Sequence, residues 1–208
     1  MPAQPSAHRA DPEAPRPGAR TSRATRLARF NAADPDAAAG VLLRCCASPR
    51  WGRRLLAHRP YPTVDALLAA ADEAAYDLGP ADLVWALTQE SLALPPGTGR
   101  GAAYTALSAA HAAYRSRFGH AFVVCLDAVA PREALNHVLT QIRARLGNDP
   151  EEERVVAADE LRLLARGRLS RLLRDAPGLP APLAGACVPL QPAAADRDGP
   201  TGSPYASV

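Results

Sequence analysis

The placement of proline and helix-capping residues constrains this chain more than any other feature. Between residues 34 and 150 these residues cut the sequence into short segments. Each segment carries apolar side chains three or four residues apart, the spacing of a helix with one buried face. Asp34-Pro35 reads as an N-cap followed by proline at the first helical position. Val41, Leu42, Cys45 and Cys46 follow, and Pro49 ends that helix. Trp51 to His58 forms a second, stopped by Arg59-Pro60-Tyr61-Pro62. Thr63 caps a third, with Leu67, Leu68, Ala71, Ala75 and Leu78 on one side and Gly79 closing it. Pro80 and Asp82 open a fourth, carrying Leu83, Ala86 and Leu87.

After the loop Leu94-Pro95-Pro96-Gly97-Thr98-Gly99, a fifth helix is expected from Ala102 to Arg117, ending at Gly119. Phe122 to Leu126 is a short apolar run, read either as a strand-like segment or as extended core chain. Pro131 opens a sixth helix with Leu135, Val138, Leu139, Ile142 and Leu146. Asp149-Pro150-Glu151-Glu152-Glu153 starts the longest, with acids at its positive end. Its expected buried stripe is Val155, Ala158, Leu161, Ala165, Leu169 and Leu172. The fold expected is all-α, a single helical bundle of about seven helices.

Composition fits one such core. Of 208 residues, 48% are hydrophobic, but 46 are alanine, which leaves about 54 larger apolar side chains. All 24 basic residues are arginine, and 21 residues are proline, a bias read as genomic background. No apolar run is long enough to span a membrane. The first residues lack the apolar stretch of a secretory signal, so a cytoplasmic location is expected. Four cysteines are too few for a disulfide scaffold.

Charge is distributed unevenly. Residues 1–27 hold five arginines against Asp11 and Glu13, whereas 28–176 hold 18 arginines against 17 acids. Residues 1–27 therefore read as a disordered Arg/Pro/Ala-rich arm and 177–208 as a disordered Pro/Ala-rich tail. The ordered domain is expected at 28–176. A core so balanced lacks the concentrated basic face of a nucleic-acid binder, and no nucleic-acid partner is expected.

Motifs for common chemistries fail. Gly97-Thr98-Gly99-Arg100-Gly101 has no strand before it and no Gly-Lys-Ser after it. Adjacent Cys45 and Cys46 on a helix point about 100° apart and do not chelate one metal easily. His8, His58, His111, His120 and His137 are scattered without metal-ligand spacing. No Gly-x-Ser-x-Gly elbow is present, and no metal is expected.

A series of segments, in order, carries more information. It comprises Phe30-Asn31, Leu43-Arg44-Cys45-Cys46-Ala47-Ser48-Pro49-Arg50-Trp51, Arg59-Pro60-Tyr61, Ala70-Ala71-Asp72 and Asp82 to Leu87. Ala113 to Cys125, with Tyr114-x-x-Arg117-Phe118-Gly119 inside it, comes next. Arg145-Leu146-Gly147-Asn148-Asp149 and Leu164-Ala165-Arg166-Gly167-Arg168-Leu169 complete it. Together these resemble the 2-oxo-4-hydroxy-4-carboxy-5-ureidoimidazoline (OHCU) decarboxylase family over about residues 30–173.

The resemblance implies an all-α fold and a cofactor-free decarboxylation in urate breakdown that gives (S)-allantoin. The implied partner is a small anionic ureido-imidazoline, and a homodimer is the implied assembly. Such chemistry needs an anchor for the carboxylate and one positioned proton donor. The family uses a histidine in a His-Pro pair, a Glu-Gln pair, and an arginine after the Phe-Val-x-Cys run. This sequence departs at all three places. Glu90-Ser91 stands where His-Pro is expected, no Asp or Glu occurs between Glu90 and Asp127, and Asp127 stands at the arginine position.

Glu90 is therefore the candidate catalytic residue, at the histidine position. Ser91, Asp127 and His120 are the candidate substrate-binding residues. His111 is a further candidate, with Arg100, Arg115 and Arg132 as possible carboxylate anchors. The alternative reading is a catalytically degenerate paralogue that binds a ligand or a protein.

Overall fold

The computed structural model describes residues 17–94, 101–174 and 188–189. Its described residues form eight helices: α1 (Pro17–Ala32), α2 (Pro35–Cys45), α3 (Pro49–Ala57), α4 (Val64–Tyr76), α5 (Pro80–Gln89), α6 (Ala102–Phe118), α7 (Ala134–Arg145) and α8 (Pro150–Arg174). A two-residue ladder pairs β1 (Ala93–Leu94) antiparallel with β2 (Val188–Pro189). The all-α bundle expected from the sequence is the architecture observed. The additional helix is α1, which starts inside the stretch read as an arm and buries Leu27 and Phe30. Residues 1–16 and most of 177–208, the remainder of the expected arm and tail, lie outside the described residues.

Proline is the first residue of α1, α2, α3, α5 and α8. At that position its missing N–H costs nothing, because the first-turn donors have no helical partner. Asp34 caps α2 by accepting from the Asp36 and Ala37 amides, and Ser48 caps α3 through Trp51 N at 3.3 Å. Pro49 thus opens α3 and does not end the helix before it, which already stops at Cys45. Gly79 is likewise the N-cap of α5, not the left-handed closure expected for α4. The expected closure does occur at Gly119, whose φ of 79° ends α6.

Helix α8 is the central strut, packing against α1, α2, α4 and α5. Its buried stripe is Glu153, Ala157, Leu161, Ala165, Leu169 and Leu173, one residue every four. The expected stripe placed Val155 inside, but that side chain is 59% exposed, and Leu173 is more deeply buried than Leu172. The difference arises because an acid, Glu153, occupies the first buried position.

Two apolar clusters fill the molecule. The larger joins α1 to α5 with α8, and the smaller is built on Leu92, Leu107, Tyr114, Phe122, Val124, Val138 and Ile142. The run 121–126 has no helix or strand hydrogen bonding and is extended core chain, the second of its two expected readings. Side chains of extended backbone alternate in direction. Val123 accordingly joins the larger cluster, while Phe122 and Val124 join the smaller.

One polar network holds this seam. Arg145, on α7, donates from Nε to Glu153 Oε1 at 2.9 Å and from Nη1 to Val123 O at 2.7 Å. The Tyr114 hydroxyl donates to the same Glu153 oxygen, and Asn148 Nδ2 donates to Oε2 at 2.9 Å. Arg145 also stacks on the Phe122 ring at 4.6 Å from its centroid. The Glu153 side chain is fully buried and that of Arg145 nearly so. Such a pair tolerates loss of one partner badly, because a buried charge is left uncompensated. Glu153→Ala is expected to lower stability by about 3–5 kcal/mol, read as the shift in urea midpoint. Glu151→Ala, at an exposed first-turn position of the same helix paired with Arg154, is expected to cost no more than about 1 kcal/mol. Equal shifts for the two variants would contradict this assignment.

Candidate functional site

Glu90 follows the last residue of α5 and is its C-cap, in extended backbone. This turns its carboxylate towards α8, where Arg168 meets it with a two-pronged contact. Arg168 Nη1 donates to Glu90 Oε1 and Nη2 to Oε2, each at 2.7 Å. The Glu90 side chain is only 7% exposed, so this is a largely desolvated fork-on-fork pair. Arg168 Nη1 also donates to Cys45 O at 3.1 Å, which ties α2 to the same point. Hydrogen bonding to Glu90 raises the Arg168 pKa in spite of burial. The carboxylate at the expected histidine position thus accepts through both of its oxygens.

Asp127 is exposed, in the turn after the extended segment. It too meets an arginine of α8: Arg171 Nη1 lies 2.6 Å from Asp127 Oδ1. The other carboxylate oxygen lies over Gly167. A methyl group there would overlap Asp127 Oδ2 and stand 3.2 Å from its Cγ. Glycine is therefore needed for the approach, not for an unusual backbone angle. Nearby, Cys125 N donates to Glu160 Oε2 at 2.7 Å.

The structure thus brings Glu90 and Asp127 to one helix, on residues 168 and 171, which are neighbours on its surface. His120 belongs elsewhere. It is half-buried, edge-on to Tyr114 at 5.6 Å between ring centres, with Nδ1 at 2.9 Å from Ala121 O. His111 is buried and accepts from Phe122 N through Nε2 at 3.3 Å. Ser91 is exposed. Arg115 is exposed, and Arg132 is exposed beside Glu133. Arg100 and the glycine-rich loop up to that residue, like His8, lie outside the described residues. Among the described residues, no three His, Cys, Asp or Glu side chains gather as a metal site would require.

Sequence reasoning missed Arg168, Arg171 and Gly167. The usable signal was charge: two acids placed where a histidine and an arginine are expected need cations opposite, and α8 carries arginines at 162, 166, 168 and 171.

The profile of the OHCU decarboxylase family matches residues 31–91 and 86–170, two pieces that meet around Glu90. This chain belongs to the OHCU decarboxylase family. Two solved structures share its fold. A crystal structure of (S)-allantoin synthase superposes with a TM-score of 0.58 at 18% identity, covering 70% of this chain and 53% of that one. This chain therefore spans about half the length of that protein. A structure of OHCU decarboxylase in the presence of (S)-allantoin gives a TM-score of 0.55 at 19% identity, covering 64% of this chain and 96% of that one. No curated protein matches the sequence.

Two titratable features near these elements have measurable consequences. Burial pushes the thiol of Cys45 up to about 11 and that of Cys46 up to about 12. At pH 8 on the order of a thousandth of the Cys45 thiol is then ionised, and the thiolate is the reactive form. Iodoacetamide at that pH is expected to spare both residues in the folded chain and to label both in urea, as read by peptide mass spectrometry. Rapid labelling of the native protein would contradict their placement.

His111 is lowered from its ordinary value near 6.5, first by burial and then by the neighbouring Arg115 charge. The fold therefore prefers the neutral ring, which also accepts from Phe122 N. Its contribution is present above the unfolded value and is lost as pH falls through and below it. The difference in melting temperature between wild type and His111→Gln is expected to shrink between pH 7.5 and pH 5. A constant difference would place the origin elsewhere.

Proposed function

We propose that this chain serves urate breakdown as an OHCU decarboxylase-like protein. In this reading it takes OHCU as its small anionic ureido-imidazoline substrate and releases CO2 without a cofactor to give (S)-allantoin. The family match across residues 31–170 carries the reading. The site is the Glu90–Arg168 and Asp127–Arg171 face of α8. Its work is positional: a guanidinium fixes the substrate carboxylate, the ring carbonyl and imine take up the electron pair left as the C–CO2 bond breaks, and that carbon then takes a proton from water on one face. Arg171 supplies the cationic anchor that the family places at the position held here by Asp127, and Arg168 stays engaged by Glu90. We place the protein in the cytoplasm and expect a homodimer, both on the strength of the family.

One observation favours a second reading. Glu90 accepts both prongs of Arg168, so both oxygens of the candidate catalytic carboxylate are engaged within the protein and neither is turned to a substrate. A chain in this state keeps the family scaffold and binds a related ligand or a protein partner without turnover.

Decay of freshly generated OHCU, followed together with circular dichroism of the product, distinguishes the two readings. The proposal expects decay faster than the spontaneous reaction and one allantoin enantiomer. Racemic product at the uncatalysed rate would reject it and leave the binding reading.

A further inference from the structure

The two ion pairs on α8 differ in a way that points to a ligand site. The Glu90–Arg168 pair is two-pronged and desolvated, and it is anchored again through Cys45 O. The Asp127–Arg171 pair has one short contact, and its side chains are 44% and 36% exposed. Water and salt screen such a pair, so it opens at little cost. Asp127 also lies in a turn outside any helix, which leaves its side chain free to withdraw.

The seat it would leave has a defined shape. Arg171 forms one wall. The floor is the backbone at Gly167, where the absence of a side chain leaves room for a flat carboxylate. Asp127, the present occupant, is itself a carboxylate. Arg168, the next residue of α8, is held in place by Glu90. Glu160, an acid of the same helix, is engaged by Cys125 N.

We propose that Arg171 and Gly167 form a carboxylate-binding seat for a small planar carboxylate ligand, and that Asp127 is its internal plug, displaced when the ligand's carboxylate binds. This rests on the proposed site and deepens it, naming the anchor for the ligand's carboxylate. Asp127 is then a competitor with the ligand, not a contact to it, and Glu90–Arg168 is the fixed neighbour.

The test is binding of imidazole-4-carboxylate to the full chain by isothermal titration calorimetry, in wild type, Asp127→Ala and Asp127→Ala/Arg171→Gln. Circular dichroism confirms that each variant is folded; both substitutions are at partly exposed positions. Removing the plug is expected to tighten binding at least about tenfold. Adding Arg171→Gln is expected to abolish that gain. The seat is overturned if Asp127→Ala binds no more tightly than wild type, or if the gain survives loss of Arg171. The readout is binding of a non-substrate, so it is separable from OHCU turnover. Gained binding without OHCU decay would reject the decarboxylase reading and keep the seat. Accelerated decay with no gained binding would reject the seat alone.

Discussion

The buried contact between Arg145 and Glu153 governs how the two halves of this chain meet. A charged pair so enclosed stands only if its remaining donors and acceptors are satisfied. Here they are, by Tyr114 of α6, by Asn148 before α8 and by the carbonyl of Val123. The last of these matters most for the site. The segment 121–126 has no strand partner, so its backbone groups must be satisfied by side chains instead. Arg145 holds it at Val123, and Glu160 holds it at Cys125 N. Two residues further on, Asp127 arrives over Gly167 of α8. The position of the candidate site residue is therefore a consequence of the polar network at the seam.

The landmarks that carry the family resemblance do the same kind of work. Asn31 exchanges two hydrogen bonds with the backbone of Tyr61, each 2.9 Å. Arg59 Nη1 satisfies the carbonyls of Phe30 and Ala33 at the end of α1, at 2.8 and 2.9 Å. Trp51 Nε1 donates to Ala71 O at 2.9 Å, joining α3 to α4. Asp72 receives Arg162 and Arg166 from α8. These residues define a scaffold, and a scaffold can be kept while the groups at its site change. That is the situation at Glu90 and Asp127, where carboxylates stand in place of the histidine and arginine that the resemblance implies and α8 supplies two guanidinium groups in answer.

Much of the fold was legible because its signals are local. Proline at a first helical position, Asp34 and Thr63 as caps, and Gly119 as a left-handed terminator act within a few residues of themselves. Pro49 and Gly79 were misjudged because one residue can close one helix or open the next, and only the three-dimensional path decides which. Helix α1 was hidden by the arginine, proline and alanine bias of its surroundings, which masks the two apolar anchors Leu27 and Phe30. The stripe of α8 was misplaced because reading apolar residues alone skips Glu153, which is buried through partners more distant in sequence. The site was partly legible for a related reason. Positions 90 and 127 were identified by what they lack, whereas the arginines that complete them lie 78 and 44 residues away.

The asymmetry between the two α8 pairs follows from where each acid sits. Glu90 is a helix C-cap whose largely buried side chain faces α8, so its solvation is already lost on folding and must be replaced by Arg168. Asp127 sits in a turn at the surface, keeps part of its hydration, and needs Arg171 less. A pair of the first kind fixes helix positions and is costly to open. A pair of the second kind is exchangeable with any carboxylate that fits between Arg171 and the bare backbone at Gly167. The same helix face therefore holds one ion pair suited to structure and one suited to exchange. The difference lies in desolvation, since both pairs use the same two chemical groups.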